Sequence, residues 1–336
     1  MHKRLVFITN EDVKKLLSPK DAVDIAREVL LAHASDDIGW GEPRQLQLVP
    51  QGQTTNYKVK ACYLAQEGVA GFRSVALNRT EVGYKIAGFA PTKFILLSDV
   101  ETGIFFAIID EQWIHAIRTG ACAAVAADDL TSTRTPVVGI AGSGYMAKTS
   151  LMALAAVFDI PKVRVYSRTL DNAKKFARWA QEELSLDVVA VSTPKEAVEE
   201  SDVVISATTT TTPFLQTEWF KKGSFFYSMG QHQEVDDSAY MEMKFIAEDW
   251  EQIQIKSDIK RLLKETSFSD EHVYAELADI ASKKKPGREN PNERIFVRSQ
   301  GLVTQDIATA YWVYKKAEEQ GLSKVMFDWS EHLPMS

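Results

Sequence analysis

The stretch from Pro136 to Arg168 constrains this chain more than any other. Val137–Ala141 is a short apolar run rich in β-branched residues, which predicts a buried strand. Gly142, Gly144 and Ala147 follow as G-x-G-x-x-A, and residues 148–158 have helical character. Val163–Tyr166 is a second apolar run at the distance that a β-α-β unit requires. Gly142 permits a tight turn, Gly144 lets the backbone approach a pyrophosphate, and Ala147 lets helix and strand pack closely. The phosphates would then meet free N–H groups at the helix N-terminus. A glycine triplet alone also occurs as an ordinary strand-to-helix turn. Strand, turn, helix and strand in this order turn it into the prediction of a dinucleotide site.

The tip of the second predicted strand bears on which dinucleotide. Enzymes that use NAD place Asp or Glu there, to accept from the ribose 2′-hydroxyl. This chain has Ser167-Arg168-Thr169. A guanidinium flanked by two hydroxyls suits a 2′-phosphate, so NADP is favoured, with NAD as the alternative. Asp171 precedes an amphipathic run and reads as the cap of the next helix.

Composition narrows the class. The 336 residues suggest about two domains. A net charge of −7 gives no sign of a nucleic-acid or membrane-surface binder. With only Cys62 and Cys122 there is no disulfide framework and no cysteine metal cluster, and the six His show no metal-ligand spacing. The start, MHKRLVFITNEDV, lacks a signal-peptide core, and no apolar run reaches the roughly 20 residues of a membrane span. A cytoplasmic protein is expected.

In chain order, residues 5–8 read as a strand, and Asn10 as the cap of a helix to Leu17. A second helix runs over 20–34, followed by short strands at 46–49, 57–64, 71–77, 93–98 and 104–109, in an antiparallel pattern. A long helix covers 111–130. From Pro136 strand and helix alternate, the mark of a parallel sheet, with strands at 137–141, 163–167, 188–191, 203–207, 225–228 and 245–247. Residues 283–294, KKKPGRENPNER, read as a loop, either a solvated surface loop or an active-site flap. Residues 303–319 form a last helix. The expected fold is α/β, a Rossmann-type parallel-sheet domain that follows a separate α+β module, with the last helix returning to that module.

Several separated segments resemble the ornithine cyclodeaminase/mu-crystallin family. They are Glu42-Pro43-Arg44, Lys60, LLSDVETGIFFAIID, Ile117-Arg118-Thr119-Gly120-Ala121, GIAGSGYMA, VYSRT, ISATTTTTP, Ser299-Gln300-Gly301 and Gln305-Asp306-Ile307-Ala308-Thr309-Ala310. The resemblance implies a homodimer in which a Rossmann-type NAD(P)-binding domain over 131–302 is inserted in an α+β substrate-binding and dimerisation domain formed by 1–130 plus 303–336. It also implies that Arg44, Lys60 and Arg118 take substrate-carboxylate and cofactor-facing positions, where Arg forks and a Lys charge hold a carboxylate beside a nicotinamide. Arg44 alone also reads as a surface charge, and Lys58 could take the place of Lys60. Arg118 stands inside an otherwise apolar helix, where a charge needs a partner. For cofactor contacts the resemblance points to Thr92, Arg118, Thr119, Gly142, Ser143, Gly144, Tyr145, Met146, Ser167, Arg168, Thr169, Thr208, Met229 and Ser299. Thr209 to Thr212 also read as a polar turn. No metal is expected.

One departure from the family pattern directs the functional reading. Cyclodeaminases place an acid two positions after the glycine of the fifth Rossmann strand. Here Ser228-Met229-Gly230-Gln231-His232-Gln233-Glu234 carries His232 at that position. The expected function is therefore an NAD(P)H-dependent imine or ketimine reductase or amino-acid dehydrogenase acting on a small imino, amino or keto acid. Arg44, Lys60 and Arg118 orient its carboxylate and His232 is the candidate proton donor, with a structural His as the other reading. One alternative is an ornithine cyclodeaminase that uses Glu234, Asp236 or His232 as its acid. The other is a NADP-bound small-ligand-binding protein of mu-crystallin type. Leu46, Leu48, Tyr57, Tyr63 and Leu77 are candidates for side-chain specificity.

Overall fold

The computed structural model describes residues 3–78, 80 and 92–332. The chain runs β1 (Arg4–Ile8), α1 (Asn10–Leu16), α2 (Pro19–Ala34), β2 (Ile38–Trp40), β3 (Leu46–Leu48), β4 (Asn56–Leu64), β5 (Val69–Leu77), β6 (Thr92–Asp99), β7 (Phe105–Asp110) and α3 (Gln112–Leu130). Then come β8 (Val137–Ala141), α4 (Tyr145–Ala155), β9 (Lys162–Tyr166), α5 (Leu170–Leu184), β10 (Val188–Val191), α6 (Pro194–Val198), β11 (Val203–Ser206), β12 (Phe225–Ser228), α7 (Ser238–Glu242) and β13 (Lys244–Ala247). The last elements are α8 (Trp250–Ile253), α9 (Ser257–Glu265), β14 (Val273–Glu276), α10 (Leu277–Ala281), β15 (Ile295–Arg298), α11 (Val303–Gln320) and β16 (Lys324–Asp328). No helix among the described residues is long and apolar enough to cross a membrane.

Packing divides the chain into two compact units. One comprises residues 1–21, 35–118 and 302–336, the other 22–34 and 119–301. The division falls inside α3, at Arg118/Thr119, where the sequence suggests a border after residue 130.

The first unit is built on one sheet of order β16-β1-β7-β6-β5-β4-β2, with β3 on β4. Its pairings are antiparallel except for β1 with β7. Strand alternation sorts the side chains by face. Lys60, Cys62 and Leu64 of β4, Val69, Arg73 and Val75 of β5, and Lys93, Ile95 and Leu97 of β6 point inward and are buried. Helix α11 packs against β4, β5 and β6. Gly71 lets it approach closely, since a Cβ there would lie 2.4 Å from Ile307. The opposite face carries Tyr63, Phe72 and Phe94 of β4, β5 and β6, which remain 46%, 38% and 41% exposed.

The second unit is a wholly parallel sheet of order β10-β9-β8-β11-β12-β15-β13-β14. The order reverses between β8 and β11, so their carboxyl ends open a crevice. Its core is aromatic, with Phe226 and Phe296 stacked at 4.9 Å beside Tyr240, Phe245 and Phe268. The loop 283–294 is tied to this unit. Arg288 Nε donates to the Leu130 carbonyl at 2.9 Å, and Lys244 bridges Glu289 and Glu293 at 2.6 and 3.1 Å. These bonds favour the surface-loop reading.

Two capping expectations need correction. Thr9, not Asn10, caps α1, its hydroxyl accepting from the Asp12 amide at 3.2 Å. Asn10 is the first helical residue and spends its side-chain carbonyl on the Trp113 amide at 2.8 Å. Likewise Thr169, not Asp171, caps α5 by accepting from the Asn172 amide at 3.4 Å. Asp171 sits in the first turn and pairs with Lys175 at 2.7 Å.

Candidate active site

The carboxyl ends of β8, β9 and β11 enclose a cleft of about 500 Å³ in the second unit. Gly142, with φ +116°, turns the chain out of β8, and a Cβ there would meet the Ala207 carbonyl at 2.5 Å. Only glycine fits such a corner. Gly144 caps α4 with extended backbone, and a Cβ on it would project into open space. The ridge is thus bare where the helix presents its free N–H groups. Ser143 and Ser167 hydroxyls lie 2.8 Å apart, which ties the glycine turn to the tip of β9. Exposed Arg168 lines the mouth of the cleft, and no carboxylate is among its lining residues.

Glu234 holds the other wall. It is buried and accepts from the Thr208 amide and hydroxyl (2.8 and 2.6 Å), the Ser228 hydroxyl (2.8 Å) and the Gly230 amide (2.9 Å). One carboxylate therefore sets both the threonine turn and the turn after β12. Fully buried Arg298 supports the second turn from beneath, donating to the Gly230 carbonyl at 2.8 Å and to Asp258 at 2.9 Å. Glu248 does the same for residues 299–301, accepting from the Ser299 hydroxyl and the Gln300 and Gly301 amides at 2.9, 2.8 and 2.5 Å.

The first unit holds a different kind of site, a charged cluster buried against the inward face of the sheet. Lys60, Arg73 and Lys93 project from neighbouring strands, Glu111 and Arg118 stand before and within α3, and Asp306 comes from α11. All six are buried. Asp306 accepts from Arg118 Nε at 2.6 Å and lies 3.4 Å from Arg73 Nε. Arg73 Nε donates to Glu111 Oε1 at 2.6 Å. His115 Nδ1 lies 3.0 Å from Arg118 Nη2 and 3.3 Å from Arg73 Nη2. Guanidinium groups only donate, so Nδ1 accepts and the ring proton is on Nε2.

This crowding shifts protonation. Burial pushes the Asp306 carboxyl up, but Arg118 and Arg73 outweigh it and hold it well below the carboxylate range. Burial pushes Glu111 up to about 7, with Arg73 opposing and Asp306 adding to the rise. Burial also brings Lys93 down to about 8, against the pull of Glu111. His115 is driven well below its ordinary value by burial, although 23% of its side chain stays accessible. Ligand atoms of Glu111, His115 and Asp306 come within 4.8 Å of one another. Arg73, Lys93 and Arg118 face the same atoms, which disfavours a divalent ion there.

Two polar atoms of the cluster are buried and have no hydrogen-bond partner among the described residues, Arg118 Nη1 and Glu111 Oε2. Such atoms cost about 1–3 kcal/mol each, more when charged, so this pair makes the cluster a candidate place for a polar ligand.

The sequence-predicted residues fall at several places. Gly142, Ser143, Gly144, Ser167, Arg168 and Thr208 line the cleft. Tyr145 and Met146 open α4, Thr169 caps α5, and Met229 follows β12, with its sulfur 3.8 Å from the Ser150 hydroxyl. Thr119 begins the second unit and Thr92 is an exposed end of β6 in the first. Lys60 and Arg118 join the charged cluster, and Lys58 lies on the same face as Lys60 but nearer the strand's end. Arg44 is half-buried with its guanidinium over the Trp40 ring at 4.3 Å. His232 is exposed, and its carbonyl accepts from Arg298 Nη2 at 3.3 Å.

The specificity candidates need correction. Leu46, Leu48, Tyr57 and Tyr63 are all exposed, and Tyr57 and Tyr63 lie on the face opposite Lys60. Sequence reasoning missed Arg73, Lys93, Glu111 and His115 in the cluster, and Asn172 and Phe214 in the cleft. The signal for Arg73 and Lys93 was present, as charges at inward positions of apolar strands. So was the i, i+4 spacing of Glu111 and His115.

Comparison with known proteins agrees with this architecture. A Δ1-pyrroline-2-carboxylate reductase of Bacillus cereus is 32% identical over 76% of this chain and 83% of its own. The Thermococcus litoralis Δ1-pyrroline-2-carboxylate reductase in complex with NADH and L-proline superposes with a TM-score of 0.88 at 28% identity, over 95% of this chain and 99% of that one. An archaeal alanine dehydrogenase dimer with bound NAD gives 0.89 at 26% identity, over 96% and 99%. Residues 4–321 match one family model, and with the parallel sheet, the glycine turn and the buried charged cluster now placed, the chain belongs to the ornithine cyclodeaminase/mu-crystallin family.

Proposed function

We propose that the chain is an NAD(P)H-dependent reductase of the C=N bond in small carboxylate-bearing imino acids, acting in reverse as an amino-acid dehydrogenase. The observation that carries this reading is Arg118. Its guanidinium is fixed through Nε by Asp306 and backed through Nη2 by His115, which leaves buried Nη1 as an unmet donor. Lys60, Arg73 and Lys93 face the same interior, so the four cations there outnumber the two carboxylates. A substrate carboxylate supplies both the missing acceptor and the missing charge. We assign Arg118 and Lys60 to holding it and retain Arg44 as a further contact. The named relatives act on substrates of this kind.

The cleft suits the dinucleotide. Gly142 and Gly144 give the pyrophosphate a bare turn, and Ser143, Ser167, Arg168 and Thr208 surround it. We further assign Thr92, Thr119, Tyr145, Met146, Thr169, Met229 and Ser299 to its environment. When bound, the reduced cofactor supplies a hydride. The chain's part is to fix the substrate carboxylate, exclude water and deliver a proton to nitrogen, for which His232 is the candidate that its position suggests. A cyclodeaminase would need an acid at the turn after β12. Glu234 is occupied by four donors and Asp236 by the Thr217 amide at 3.0 Å and its hydroxyl, which favours the reductase reading.

Tyr63, Phe72 and Phe94 form an exposed apolar face of a kind that marks an interface. We assign the homodimer to it, and residues 1–130 plus 303–336 to substrate binding and dimerisation, with 131–302 binding the cofactor. Cys62 and Cys122 are buried and form no disulfide among the described residues, which accords with a cytoplasmic protein, a placement that cell fractionation tests.

Three measurements test these assignments. NADPH absorbance at 340 nm should fall when the protein meets a cyclic imine carboxylate; ammonia from ornithine without net cofactor change would instead establish the cyclodeaminase, and tight binding without turnover the ligand-binding protein. Replacing Arg168 by Ala should weaken NADPH about 10–10²-fold, the worth of a charge-assisted hydrogen bond at about 1.5–3 kcal/mol, and leave NADH nearly unchanged. Equal loss for both cofactors would remove the 2′-phosphate role. Sedimentation should give a dimer that Phe72→Glu converts to monomer, and a wild-type monomer at micromolar concentration would refute the interface.

A further inference from the structure

The reductase reading takes His232 as its candidate proton donor from sequence position alone, and the cluster holds another acid, one that the sequence did not single out. Glu111 is fully buried. Its Oε1 takes the Arg73 Nε–H at 2.6 Å, while Oε2 has no hydrogen-bond partner among the described residues. Left ionised, Oε2 would be a buried charge with nothing to accept from. Protonated, it would be a buried O–H with nothing to donate to. Either state asks for a polar ligand atom at that oxygen. The other unmet atom of the cluster, Arg118 Nη1, belongs to the same ring of contacts. His115 Nδ1 lies 3.0 Å from Arg118 Nη2 and 3.5 Å from Glu111 Oε1, and Asp306 bridges Arg118 and Arg73. One unmet donor and one unmet carboxyl oxygen within one cluster complement a carboxylate with a nitrogen on the neighbouring carbon.

Resting on the reductase reading, we propose that Glu111 is the acid that protonates the substrate's imine nitrogen, through Oε2, while Arg118 holds its carboxylate. Hydride addition forms a C–H bond at the imine carbon as the C=N π pair moves to nitrogen. The nitrogen takes the Glu111 proton, the imine is reduced to an amine, the nicotinamide is oxidised, and the Glu111 carboxylate recovers a proton from solvent. Charged and titratable groups surround this carboxyl on every side: Arg73 on β5, Lys93 on β6, His115 and Arg118 on α3, and Asp306 on α11. Burial and Asp306 together keep the proton on Glu111 up to about pH 7, so the acid form is present at neutral pH. His232, by contrast, is exposed and has no side-chain hydrogen bond among the described residues to aim it.

The test compares two substrates that differ only in their need for a proton. A cyclic imine carboxylate must be protonated at nitrogen, whereas its N-methyl iminium analogue already carries the charge and needs only hydride. Glu111→Gln keeps the shape and the bond from Arg73. It should cut turnover of the imine by about 10²–10⁴-fold and change that of the N-methyl iminium by less than about threefold. Infrared difference spectra between pH 5.5 and 8.5 should show a buried carboxylic C=O band that Glu111→Gln removes. Equal losses on both substrates would make Glu111 a positioning or structural residue and overturn the proposal, as would unchanged imine turnover. Should Glu111→Gln not fold, Glu111→Asp, with its shortened reach, should show the same selective loss, and its absence would overturn the proposal. A wild-type protein that reduces neither compound would instead refute the reductase reading itself.

Discussion

The pairing of Asp306 with Arg118 and Arg73 is the interaction on which the first unit depends. A lone carboxylate in that interior would cost several kcal/mol, and so would either guanidinium without it. Together they form a rigid ring in which Arg118 Nε, Arg73 Nε and the two Asp306 oxygens fix each other's orientation. The elements that supply them are far apart in sequence, β5, α3 and α11, so the ring also ties the end of the chain to its first half. Stability and preorganisation come from the same bonds. The geometry needed to receive an anion is thus paid for by folding rather than at binding.

The second unit repeats this logic with single carboxylates. Glu234 gathers the donors of two turns, and Glu248 those of a third. Each buried acid orders irregular backbone at the carboxyl edge of a parallel sheet, where secondary structure alone leaves amide groups unmet. The walls of the dinucleotide cleft are therefore set by side chains well behind its surface. An acid at the position of Glu234 reads in sequence as a possible catalyst; in the fold it is a brace.

Much of this was legible in the sequence, and the reason is periodicity. Gly142, Gly144 and Ala147 lie between two apolar runs, so local pattern and global fold agree, and the parallel sheet followed. The buried charge of Arg118 announced a site because an apolar helix has no other use for it. What the sequence hid depends on contacts between distant segments. Arg73 and Lys93 look like ordinary strand charges until register places them on the inward face beside Lys60. Glu111 looks like the start of a helix until Arg73 is seen against it. β14 and β15 are four residues each, and Arg298 at the end of β15 disguises a strand that is buried throughout. Leu46, Leu48, Tyr57 and Tyr63 prove exposed for a related reason, since apolar character does not reveal which face of an amphipathic strand looks inward, whereas Leu77 is half-buried at an inward position of β5.

On the proposed reading, the cluster around Asp306 receives the carboxylate and nitrogen of an imino acid. The decisive experiment is a crystal structure with oxidised cofactor and a cyclic amino acid such as L-proline. The carboxylate should lie within hydrogen-bond distance of Arg118 Nη1 and the ring nitrogen within that distance of Glu111 Oε2. An amino acid seated elsewhere, with both atoms still unmet, would contradict it.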